Sequence, residues 1–268
     1  MHGNKSVTKG ELATAYCRAY NNWLLEFCQP YPQRLKPVAH ISLLNVDLAV
    51  QEARRVAKLG VKGVFLYAHP PWLHGRGFGD PVNDPFWAEL QDLGLTVGIH
   101  VNLGLDYPGD YIYPDGIAAS RLIGPQVHYV FHLDVQIAFT NFIFGGVFER
   151  FPKLRVLILE SGGGWLPAML DRMDHLNEVV YPHLFTDRSL KPSEYFQRQC
   201  WISIDPDDTS APWLASQLGA DKLLWASDYP HEDAYPQPVE ELKKHIKELS
   251  EEDQEKILGG NALLAYDL

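Results

Sequence analysis

A repeating alternation between short, mostly apolar segments and longer segments of helical periodicity constrains this chain more than anything else in it. The segments PVAHISLL (37–44), VKGVFLYA (61–68), LTVGIHV (95–101), LRVLILE (154–160), CWISID (200–205) and KLLWASD (222–228) read as strands. Between them, VDLAVQEARRVAKLG (46–60), DPFWAELQDLG (84–94), VQIAFTNFIFGGVFERF (135–151), WLPAMLDRMDHLNEVV (165–180) and a stretch near 211–219 read as helices. Strands that are apolar through most of their length, rather than alternating, are covered on both faces. Alternated with helices, they require a parallel sheet built by right-handed crossovers. A helix over 8–28 precedes the series: Thr8 and Glu11 have capping-box spacing, and Leu12, Ala15, Tyr16, Ala19, Trp23, Leu24 and Phe27 form one apolar face. A charged helix over 238–249 and a last helix opened by Ser250 and Asp253 follow the series.

Two architectures satisfy that rhythm, a doubly wound sheet and a (β/α) barrel. A dinucleotide-binding sheet carries a Gly-rich turn after its first strand. Here the one glycine cluster, Gly162-Gly163-Gly164, comes late and lacks the GxGxxG spacing, and no P-loop is present. What the strands share is a polar residue at or just beyond the C-terminal end: His69, His100, Glu160, Asp205 and Asp228. A barrel gathers its chemistry at that rim, from several strands. The expected fold is therefore an α/β, TIM-barrel-like single domain over 1–268, with about six βα units evident.

Composition removes several function classes. The net charge of −11 opposes a nucleic-acid surface, which needs a basic stripe. No run reaches the ~18 apolar residues of a membrane span, and the N-terminus lacks the apolar core of a signal peptide. Cys17, Cys28 and Cys200 make no CxxC pair, which fits a reducing compartment. A cytoplasmic protein with a small-molecule substrate is expected.

A His, a Glu and an Asp at neighbouring strand ends are a donor set for zinc, manganese or iron. The competing reading is that each merely caps a strand end and bonds to backbone. His69, in YAHPPWLHGRG, reads as a ligand, a substrate contact or a loop residue held by the prolines after it. His132 reads as a substrate contact or a surface residue at a helix start, and the long segment 102–134 before it as a lid. His40, inside the first strand, reads as a core histidine.

Three stretches, FPKLRVLILESGGGWLPAMLDRMD (151–174), LLWASDYPHED (223–233) and KILGGNALLAYDL (256–268), together with GDPVNDPFWAELQDLGLTVGIH (79–100), resemble the amidohydrolase-related family. This is the branch of the metal-dependent hydrolases that includes aminocarboxymuconate semialdehyde decarboxylase and related aromatic-acid decarboxylases. The resemblance implies a (β/α)8 barrel with one divalent metal at its C-terminal mouth. That metal is held by a His-x-His pair on the first strand, a His on the fifth and an Asp on the eighth, while a sixth-strand His serves acid/base chemistry. By that pattern His100 and Asp228 are metal ligands, and Glu160 occupies the sixth-strand position as ligand or acid/base group. Asp228 and Glu160 are the catalytic candidates; His69, His132 and His231 are the candidates for substrate contact.

No His-x-His occurs in the sequence. Its six strands align with the family's third to eighth, so the chain is expected to be N-terminally truncated relative to its relatives. Such a sheet has open edges. The helix 8–28, a second copy of the chain (a homodimer), or a separately encoded fragment would cover the gap. The expected activity is that of a metal-dependent hydrolase or non-oxidative decarboxylase (a lyase) acting on a small carboxylated substrate. The alternative is a catalytically incomplete barrel serving as a binding or assembly subunit, or a fragment.

Overall fold

The computed structural model describes residues 10–68, 77–101, 132–231 and 234–268. The Thr8 cap, His69 and most of the expected lid, 102–131, lie outside them. The chain divides into two compact units, Met1–Val147 and Phe148–Leu268.

In the first unit the order is α1 (Gly10–Cys28), β1 (Val38–His40), α2 (Val46–Lys58), β2 (Gly63–Tyr67), α3 (Asp84–Leu93), β3 (Thr96–His100) and α4 (His132–Phe144). The strands are parallel, with Val38 opposite Gly63 and Gly63 opposite Thr96. Local chemistry sets the helix ends. The Asn45 side chain accepts the Leu48 N–H at 3.0 Å to start α2, and Gly94, at φ 65°, closes α3. Val64, Leu66, Val97 and Ile99 are buried. Phe78, Trp87 and Phe142 pack with centroids 5.1–6.0 Å apart.

The open flank of β1 is occupied by α1. Asn21 accepts the His40 N–H at 2.8 Å and donates to the His40 carbonyl at 2.9 Å. A third bond runs from its amide to Glu52 at 3.0 Å. Glu52 is buried, and Arg55 donates to it at 2.6 and 2.8 Å and Arg18 at 3.2 Å. Burial alone would raise the Glu52 pKa. Hydrogen bonds from Arg55 and Asn21, together with the Arg55 charge, outweigh burial and hold it below the usual range.

In the second unit the order is β4 (Val156–Leu159), α5 (Leu166–His175), α6 (Pro192–Gln199), β5 (Cys200–Ile204), α7 (Ala211–Leu218), β6 (Leu223–Trp225), α8 (Pro238–Ile246), α9 (Glu251–Glu255) and α10 (Asn261–Tyr266). These strands too are parallel, with Val156 opposite Cys200 and Ile202 opposite Leu223. Leu157, Trp201, Leu224 and Ala265 form a buried cluster. Gln199 donates to the Phe151 and Leu154 carbonyls at 3.0 and 2.7 Å, and Asn261 to the Ala220 and Leu223 carbonyls, both at 2.7 Å. Buried amides thus pin the entry to β5 and the start of α10.

Several boundaries differ from the sequence expectation. The first strand is three residues rather than 37–44. The helix expected over 135–151 stops at Phe144, because Gly145 and Gly146 (φ 73°) interrupt it before a single turn, Val147–Arg150. The strand expected to deliver Asp228 ends at Trp225, and Asp228 lies three residues on, in a turn where its own φ is 52°. The apolar stripe of α1 also faces outward. Ala13, Cys17, Asn21 and Cys28 are its buried residues.

Candidate functional site

The second unit brings three side chains together beyond its strand ends. Glu160 directly follows β4, and Asp228 and His231 lie on the turn after β6. One donor atom from each lies within 4.8 Å of the others. Both carboxylate residues adopt left-handed backbone, Glu160 at φ 50° and Asp228 at φ 52°. Non-glycine residues sit there at a cost of about 1–3 kcal/mol, a strain that clusters at functional sites. At Glu160 the backbone N–H donates to Ser203 Oγ on β5 at 3.0 Å. The glycines that follow have distinct reasons. Gly162 is itself left-handed at φ 58°, and a Cβ on Gly163 would stand 2.5 Å from Leu214 Cδ1 on α7. At Asp228 the turn is closed by the His231 N–H donating to the Asp228 carbonyl at 2.8 Å. The same turn sets Asp228 Oδ2 at 2.7 Å from His231 Nδ1. A neutral imidazole that gives Nδ1–H to this carboxylate has the lone pair of Nε2 free.

Negative charge is concentrated around this group. Asp205 directly follows β5 nearby, with Asp207 and Asp208 after it. Although part of Asp205 is open to solvent, its carboxyl is pushed up to about 6, first by burial and then by Asp207, Asp208, Glu160 and Asp228. Two carboxylates and an imidazole among further acids fit a divalent cation both in ligand type and in charge.

His231, expected as a substrate contact, is thus grouped with two of the expected ligands, Glu160 and Asp228. His100 ends β3 in the first unit, with Nδ1 2.8 Å from the Val101 carbonyl oxygen. His132 opens α4 there. Sequence reasoning did not single out Asp207 and Asp208, although the DPDD run after a buried strand is a visible signal.

A second feature went unread: a cavity of about 550 Å³ in the first unit, lined by residues that include Tyr16, Cys17 and Tyr20 of α1 and His40, Phe65 and Tyr67 of β1 and β2. His40 stacks on Phe65 at 4.4 Å and meets Tyr67 edge-on at 4.9 Å. Burial lowers its pKa from 6.5 to about 4. An unfolded imidazole takes a proton near pH 6.5 and the folded one only near 4. Stability from this residue is therefore complete above 6.5 and lost as pH falls toward 4. Urea titrations at pH 7 and pH 4 are expected to show wild type losing up to about 3 kcal/mol more than His40→Phe. Equal losses would remove His40 from the account.

The chain is 28 % identical over 253 residues to the 2-amino-3-carboxymuconate-6-semialdehyde decarboxylase of Dictyostelium discoideum, covering 91 % of the chain and 64 % of that relative. It therefore spans somewhat less than two thirds of that relative's length. The crystal structure of an amidohydrolase from Mycobacterium avium subsp. paratuberculosis superposes with a TM-score of 0.81 at 26 % identity, covering 98 % of this chain and 67 % of that one. The dihydroxybenzoic acid decarboxylase of Polaromonas sp. JS666, solved with manganese and 2-nitroresorcinol, gives a TM-score of 0.76 at 22 % identity, with 97 % and 77 % covered. The fold is accordingly α/β and TIM-barrel-like. A sequence profile described as Amidohydrolase matches residues 1–268, from one end of the sequence to the other, and the chain belongs to that family.

Proposed function

We propose that this protein is a metal-dependent, non-oxidative decarboxylase of a small aromatic carboxylate. The observation that carries the reading is the convergence of Glu160, Asp228 and His231 in a family whose matched members include decarboxylases. Asp228 and Glu160 are the proposed ligands, with His231 beside them. His100 is kept as a proposed ligand, and His69 and His132 as proposed substrate contacts, on the sequence alone. When bound, a divalent cation supplies Lewis-acid polarisation of substrate oxygens. The chain's own task is proton handling. As the C–CO2 bond breaks, its electron pair stays on the ring carbon, which must take a proton while CO2 departs. Asp228, oriented by His231, is the proposed proton carrier, and Glu160 the second acid/base group. The cysteines Cys17, Cys28 and Cys200 are free and buried, which supports a reducing, cytoplasmic setting. Among the described residues no helix is long and apolar enough to cross a membrane. A homodimer is the proposed assembly.

The test is to load the protein with zinc, manganese or iron in turn. Bound metal is then measured by mass spectrometry, and CO2 release is followed with 2,6-dihydroxybenzoate and related hydroxybenzoates. About one equivalent of metal per chain and metal-dependent turnover are expected. Less than about a tenth of an equivalent with every metal would overturn the proposed centre. Full loading without turnover on any carboxylate would favour the alternative, a barrel retained for binding or assembly.

A further inference from the structure

The cavity of the first unit has two walls of different periodicity. Ala13, Tyr16, Cys17 and Tyr20 recur along α1 at the spacing of a single helical face. Phe65 and Tyr67 alternate along β2, and His40 of β1 is level with Phe65, so the opposite wall is a single sheet face. On that wall the rings brace one another. His40 lies within 13° of parallel to Phe65, and Tyr67 stands edge-on to His40 at 79° and to Phe65 at 84°. Rings already held by their neighbours need little further ordering when a ligand arrives.

Volume and charge narrow the ligand. The volume of about 550 Å³ lies within the ~300–1,000 Å³ of small-molecule pockets. An apolar cavity of ~150 Å³ already accepts benzene, so two fused rings and a substituent fit here. The described lining holds no Asp, Glu, Lys or Arg. Its imidazole and its thiol are neutral as well, with His40 lowered to about 4 and Cys17 pushed up to about 11, both chiefly by burial. A carboxylate entering would give up its water and meet no cation. An organic cation would lack a counter-charge, because Glu52, the carboxylate that acts on Cys17, is already bound by Arg55 and Arg18. What the lining offers a polar substituent is the hydroxyls of Tyr16, Tyr20, Tyr67 and Ser42. A neutral aromatic ring bearing a hydroxyl group matches both the rings and these hydroxyls.

We propose that the cavity between α1 and the β1–β2 face is a binding site for an uncharged, planar hydroxyarene. The described lining shares no residue with the group of Glu160, Asp228 and His231, and the proposal rests on no part of the catalytic reading.

Calorimetry on the whole chain tests it with 2-naphthol, its carboxylated counterpart 2-naphthoate, and the cation trimethylphenylammonium. One 2-naphthol per chain is expected to bind with a Kd on the order of 0.1 mM, equally with and without added manganese. The carboxylate and the cation are each expected to bind at least tenfold more weakly. Ala13→Phe fills the cavity from α1, and Tyr20→Ser removes part of its rim at a position 42 % exposed, where replacement spares the fold. Each is expected to weaken 2-naphthol binding at least tenfold with unchanged circular dichroism. Binding of 2-naphthoate or of the cation as tight as that of 2-naphthol would overturn the proposal. So would 2-naphthol binding that requires manganese, binding indifferent to either variant in folded form, or no binding at about 2 mM.

Discussion

Asp228→Asn is expected to lower kcat/KM for the proposed decarboxylation by at least a hundredfold, and more if its carboxylate both holds the cation and carries the proton. The substitution is chosen to spare the fold. Asn tolerates the left-handed region as well as Asp does, so the strained turn at φ 52° and its backbone bond to His231 persist. What changes is charge. An amide cannot be the anionic partner of His231 Nδ1, now 2.7 Å from Asp228 Oδ2. The check is steady-state kinetics beside metal stoichiometry, with thermal unfolding as a control. Activity within tenfold of wild type would dismiss Asp228 as the central group.

The second large effect is on stability. Glu52→Leu is expected to destabilise the protein by about 3 kcal/mol, read as a lower urea midpoint at unchanged slope. The carboxylate accepts from Arg55, Arg18 and Asn21 at once, while only 1 % of it meets solvent. Removing a partner from a buried ionic network costs more than the net worth of the pair, because the remaining groups lose their compensation. Asn21 would lose the bond that orients its amide, so the bonds from α1 to β1 should weaken together. A midpoint within experimental error of wild type would show that the arginines and Asn21 find other partners.

The architecture was largely legible because parallel strands covered on both faces announce themselves at every residue. The strand ends were not. Val38–His40 is shorter than PVAHISLL suggests, and its outer flank meets a side chain from a helix, which nothing in that segment announces. The strand expected to reach Asp228 stops at Trp225, and Asp228 turns left-handed three residues later, a conformation fixed by context. In α1 the periodicity found an apolar stripe, but periodicity does not say which stripe is buried. Small residues and an asparagine face inward because Asn21 must reach the backbone of His40. At the site, Glu160 and Asp228 were readable from strand-end position. The place of His231 beside Asp228 was not, since it depends on a turn closing three residues apart. Phe65 and Tyr67 share a strand face by simple alternation. That α1 stands opposite them, making a cavity, is a tertiary fact.

The two bonds between Asn21 and His40 have one further consequence. A strand's exposed N–H and C=O are an invitation to polymerise, and sheets commonly decline it with charge, proline or a bulge. Here a primary amide imitates the backbone of an absent neighbour, donor and acceptor both, and takes up the N–H and C=O of His40 that a visiting strand would use. Any chain that sought to extend the sheet past β1 would first have to displace that imitation. Growth by strand addition is opposed at His40, and the protein's associations there fall first to side chains.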